Sequence, residues 1–160
     1  MSQLSSFICQ SIQAGQSEAF LGAHEVILAY RSPSTDGGGI EPWASRILAE
    51  SPTNADVDEI RNSLLDALEN GNDTAVAGAA FALAAFQDDT LIPNLRAQLK
   101  RQVASLKRAH YAISSILTAL AHSGDEAQTP AFVGLSDPTR SLATAEQYLA
   151  QVTPRPQSDA

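Results

Sequence analysis

The feature that most restricts what this chain can fold into is an internal repeat. Displaced by 37 residues, Ala82-Leu83-Ala84 falls on Ala119-Leu120-Ala121, Asp88 on Asp125, Asp89 on Glu126, Pro93 on Pro130 and Leu95 on Phe132. What recurs is a helix end, an acidic turn and a proline that opens the next helix. A period of this size belongs to chains whose units cannot bury their apolar faces alone and stack to do so. A second displacement, of 56 residues, lays Ser17, Phe20, Gly22, Ala23, Ile27 and Tyr30 on Asp73, Val76, Gly78, Ala79, Leu83 and Phe86. Three helices, the second, fifth and seventh of those read next, are thus expected to be equivalent inner members of stacked pairs.

Local chemistry agrees with helices throughout. Alanine clusters between Ala75 and Ala85, costs least in a helix and lets helices approach closely. No stretch alternates apolar and polar residues in the manner of consecutive strands. The reading is all-α, about eight helices in one domain over residues 1–152, with a disordered tail at 153–160. The first helix runs over about Leu4–Gln13 and the second from Ser17 to about Arg31, with Glu18 in its first turn. Ser32 to Gly39 reads as a flexible connector, and Pro42 opens a short third helix to about Glu50. Thr53 or Asn54 caps the fourth, which ends at Asn70-Gly71; Asp73 caps the fifth, which continues to about Gln87. The sixth starts near Leu91, with a possible break at Val103–Ser105; the seventh ends at about His122, and the last runs from Asp137-Pro138 to about Val152.

The segment Asp73-Thr74-Ala75-Val76-Ala77-Gly78-Ala79-Ala80-Phe81-Ala82-Leu83 resembles the second helix of the HEAT-repeat family, in the short form found in phycobilisome-lyase-type proteins. The capping Asp, the Val and the paired alanines are in place. Ala77 stands where that family usually has an arginine, which implies that the typical inter-repeat ladder is missing at this unit. The resemblance covers about residues 57–132; the first third of the chain is compatible with it and the end is not matched. It implies a HEAT-like α-solenoid of stacked antiparallel helix pairs. An irregular helical bundle obeys the same packing rules and is the alternative.

In a solenoid, equivalent faces of the inner helices line one continuous concave surface. On the seventh helix Ala109, Ile113, Ile116, Leu117 and Leu120 share one face, and Arg108, Tyr111, Ser115, Thr118 and His122 lie opposite. The displacements carry that second stripe onto Thr74, Gly78, Phe81 and Ala85 of the fifth helix and onto Glu18, Gly22, Glu25 and Ala29 of the second. The expected protein-binding surface is acidic at one end, lined by small residues in the middle, and polar-aromatic at the other. Phe81 and Tyr111 are anchors of the kind that dominate interface energy. The alternative is that Gly78 and Ala85 face another helix of the same chain. Trp43 is a second candidate anchor or a core residue.

Charge narrows the partner. Residues 1–89 carry thirteen acids against Arg31, Arg46 and Arg61, whereas residues 90–160 carry five acids and seven bases. A face that begins with Glu18 and Glu25 disfavours nucleic acid, which needs a cationic surface, and the acidic charge favours a basic protein partner or serves solubility alone. The run Arg96–Arg108 reads as a solvated helix face. Chemistry for an enzyme is sparse, and no cofactor or metal is expected. His24-Glu25 lacks the second histidine of a zinc-binding HExxH arrangement, His110 and His122 are not a ready metal pair, and Cys9 has no basic neighbour to activate it. Gly37-Gly38-Gly39 lacks the Lys-Ser/Thr of a phosphate loop, and the pairs Asp88-Asp89 and Asp125-Glu126 fit turn chemistry. Neither a signal peptide nor a membrane span is visible, so a cytoplasmic location is expected. The functional expectation is a non-enzymatic protein-binding module, in its concrete form an immunity protein or inhibitor that neutralises a toxin or effector. The alternatives are a lyase-type accessory protein, which the resemblance suggests, and a HEAT-like nucleic-acid binder.

Overall fold

The computed structural model describes residues 3–31, 52–107, 109–125 and 138–152. Among them are seven α-helices and no strand: α1 (Gln3–Gln13), α2 (Ser17–Arg31), α3 (Asn54–Asn70), α4 (Asp73–Leu83), α5 (Ile92–Ala104), α6 (His110–His122) and α7 (Pro138–Val152). Short 3-10 turns at Ala84–Phe86 and Asp89–Leu91 connect α4 to α5. The expected third helix with Trp43, the connector at 32–39, Arg108, the second half of the repeat from Glu126 to Phe132, and the tail at 153–160 lie outside the described residues.

Capping residues set most of the boundaries. Thr53 accepts the Asp56 amide while Asp56 receives the Thr53 backbone amide, a reciprocal box that fixes the start of α3. At α4 the cap is Asn72, whose side chain accepts the Ala75 amide, and Asp73 is the first helical residue rather than the cap. The helix also stops earlier than its apolar pattern suggests. After Leu83 the chain tightens into the 3-10 turn and leaves through Gln87 in the left-handed region, φ 49°. Pro93 occupies the first turn of α5, where a missing N–H costs nothing, and Ala104 ends it at the break anticipated near Ser105.

The helices make two rows. The first row contacts in the order α1, α3, α5, the second in the order α2, α4, α6, and α7 packs on α5 and α6. At the core-facing positions, burial along the second row follows the sequence displacements. Ala19, Ala75 and Ala112 are buried together, as are Phe20, Val76 and Ile113; Ala23, Ala79 and Ile116; and Ile27, Leu83 and Leu120. The same periodic face of each helix enters one core, continuous from Ile8 to Tyr148.

Two arginine clamps tie the rows together. Arg61 of α3 reaches the loop after α4 and meets Asp88 at 2.7 Å, and its guanidinium lies 5.4 Å from the Phe86 ring centre. Arg96 of α5 meets Asp125, just past α6, at 3.0 Å, and lies 5.9 Å from the Tyr148 ring. Each clamp joins the first helix of a pair to the turn that closes the second. Burial pushes the Asp88 carboxyl up, but the amide and hydroxyl of Thr90 and the Arg61 guanidinium outweigh it and hold Asp88 below the usual carboxylate range. In the second clamp burial, reinforced by the hydrogen bond the Tyr148 hydroxyl donates to Asp125, keeps Tyr148 protonated. The acidic turns that recur in the sequence thus receive arginines as well as shaping turns.

Candidate protein-binding face

The exposed side of the second row is built from helical spacing alone. On α2, Glu18, Leu21 and Leu28 are exposed and His24 and Glu25 half-buried between them. On α4 the corresponding side carries Thr74 and Phe81, and on α6 Tyr111, Ser115, Thr118 and His122. Phe81 is 42 % exposed and Tyr111 54 %, high values for aromatic side chains. Ser115 and Thr118 are half-buried, and the Thr118 hydroxyl donates to the Ser114 carbonyl within its own helix.

The small residues expected as the middle of this surface are packing devices. Gly22 and Ala85 are buried. At Gly78 an added Cβ would stand 2.5 Å from Cδ2 and 2.6 Å from Cγ of Phe20, so the missing side chain is what admits the Phe20 ring. This corrects the expectation that small residues line the middle of the open surface, in favour of the alternative that Gly78 and Ala85 face another helix of the same chain. The physical reason is that α2 and α4 run side by side in the same direction. Phe20 meets Gly78, the His24 ring stacks on Phe81 at 4.4 Å and 19°, and Arg31 donates to the Ala85 carbonyl at 2.7 Å and to Gln87 Oε1 at 3.3 Å. Each contact lies further along both helices than the one before, so the glycine position is spent on the contact between the helices.

What remains open is therefore apolar and aromatic at its centre, with carboxylates at the α2 margin. His24 connects the parts. Burial holds its imidazole below the ordinary histidine value, Glu25 at 4.0 Å works against that, and His122 of α6 adds to the depression. One stacked pair, His24 on Phe81, thus has a residue from the end of α6 near enough to feel its charge. Sequence reasoning named Glu25, Phe81 and His122 but missed His24, Leu21 and Leu28. Leu21 and Leu28 are seven apart on the helical side that also carries Glu18 and Glu25, a signal that was readable. His24 gave no such signal, because its stacking depends on where α4 lies.

Among the described residues no cluster of three or more His, Cys, Asp or Glu side chains is placed to hold a metal ion, and no helix is long and apolar enough to cross a membrane. Cys9 is a buried free thiol. Compared with protein-family models, with curated proteins and with solved structures, the chain gives no match.

Proposed function

We propose that this chain is a small HEAT-like repeat protein that binds another, basic protein through the open side of α2, α4 and α6, without carrying out a reaction itself. The observation that carries this reading is the exposure of Leu21, Leu28, Phe81 and Tyr111 on the three equivalent helices, beside Glu18 and Glu25. Water-exposed aromatic side chains in a rigid, well-packed row are suited to anchor a protein interface, and a charged margin steers the partner. The solenoid reading is supported by the burial register of the three helices and by the two Arg–Asp clamps at corresponding turns. The concrete form of the function is neutralisation of a basic toxin or effector in the same cell.

Hydrogen–deuterium exchange with and without the co-purified partner tests the reading. Added protection is expected in 17–31, 73–83 and 110–122. Protection confined to α1, α3 and α5 would remove the proposed face. Association should also slow with added salt, because opposite charges over a Debye length of about 8 Å are screened at physiological ionic strength.

A further inference from the structure

A second feature of the molecule is a recess at the end where α1 and α3 finish and α4 begins. It has a volume of about 260 Å³, smaller than an ordinary metabolite pocket and suited to one long side chain. Ile12, Ala67 and Ala75 give it apolar walls, while Gln13, Ser63, Asp66, Asn70 and Asn72 supply polar groups. No lysine, arginine or histidine lines it. Asn70 Nδ2 donates to one Asp66 oxygen at 2.9 Å, which leaves the other oxygen uncommitted among the described residues. The C-terminal ends of α1 and α3 close at this recess and the N-terminal ends of α2 and α4 open beside it, so their opposed dipoles leave the sign of the site to its side chains. Glu18 and Asp73 begin the two helices that start at this end, so the surrounding surface is acidic as well.

We propose that this recess receives a lysine or arginine side chain of the basic partner, the alkyl stem lying on Ile12, Ala67 and Ala75 and the cationic head meeting Asp66. Long basic side chains are apolar along the stem and charged at the tip, and the recess has that polarity in mirror image. Asn70 orients the carboxylate, and the Ser63 hydroxyl and Gln13 amide offer further acceptor oxygens. The recess is walled in part by Asn72 and Ala75, the neighbours of Thr74 on the open side of α4, so one partner can use both. The inference rests on the partner being a basic protein, as proposed above, and it adds a second anchor outside the aromatic centre.

The test uses the full chain, labelled for NMR, and three short capped peptides of sequence Gly-Lys-Gly, Gly-Arg-Gly and Gly-Glu-Gly. Saturable shifts of the Gly15, Gly71 and Ala75 amides are expected with the lysine or arginine peptide and not with the glutamate peptide. The two basic peptides distinguish an ammonium from a guanidinium ligand. Asp66→Asn, an exposed change that keeps the shape of the side chain, should weaken the response about fivefold, the upper range for a partly exposed ion pair. Absence of shifts at those amides, an equal response to the glutamate peptide, or an unchanged affinity in D66N would each overturn the proposal. Failure here is separable from failure of the binding face. If D66N leaves partner affinity unchanged while Phe81→Ala reduces it, the face stands and the recess is refuted. If the reverse holds, the recess stands alone.

Discussion

Replacing Gly78 by Ala is the sharpest test of how α2 and α4 fit together. In an exposed helix the change would stabilise the protein by roughly 1 kcal/mol, because glycine has the larger backbone entropy to lose. Here the new Cβ would stand 2.5–2.6 Å from the Phe20 ring, well inside contact distance. Phe20 is 2 % exposed and has buried Ala23 and Ala19 beside it, so the ring has no free space into which to retreat. Overpacking of that kind costs about 1–3 kcal/mol, so the net expectation is a loss of about 1 kcal/mol. Phe20→Leu supplies the control. With the ring gone, Gly78→Ala should become neutral or stabilising, a coupling of about 2 kcal/mol between the two positions. Urea unfolding followed by far-UV circular dichroism on the four proteins of the cycle measures it. A Gly78→Ala protein that gains about 1 kcal/mol in both backgrounds would refute the packing register and, with it, the parallel placement of α2 and α4.

Other consequences follow from single interactions. Asp125 has a side chain only 3 % exposed beside Arg96, so Asp125→Ala should cost about 3 kcal/mol, whereas Asp88→Ala, at a more open clamp, should cost about 1 kcal/mol; equal losses in denaturant titrations would contradict the burial difference. Thr53→Ala and Asn72→Ala should each lose about 1 kcal/mol through the caps of α3 and α4, measured in the same way. His24 should titrate below the ordinary histidine range by NMR, and Phe81→Ala should move it upward by letting water reach the ring. Because the folded value is depressed, the stability His24 contributes is present above its unfolded value of about 6.5 and is lost as pH falls through the folded one. A stability profile flat across that window would show that His24 is not held neutral.

Much of the fold was legible because it depends on local periodicity and capping. The starts of α2, α4 and α6 stand at the two sequence displacements, and Pro93 and the Asn70-Gly71 boundary fell where turn chemistry puts them. The capping residue of α4 was misread by one position, since Asn72 and Asp73 are both good caps and only the side-chain geometry decides between them. The site was legible as a stripe but not as a surface. Helical spacing places Glu18, Glu25, Thr74, Phe81 and Tyr111 on one side, yet whether Gly22 and Gly78 are open depends on how closely α2 approaches α4. The Arg61–Asp88 and Arg96–Asp125 clamps were invisible for the same reason. Their partners are 27 and 29 residues apart and meet only after two helices have packed.

What Phe81 and Tyr111 do in the complex decides whether the open side of α2, α4 and α6 holds the partner. Isothermal titration of the purified partner into wild-type protein, Phe81→Ala, Tyr111→Ala and the first-row control Asn62→Ala measures this. Truncating an interface anchor typically costs about 2 kcal/mol or more, so at least one aromatic variant should bind roughly 30-fold more weakly while Asn62→Ala binds as wild type. Unchanged affinity in both Phe81→Ala and Tyr111→Ala would contradict the claim that the open side of α2, α4 and α6 holds the partner.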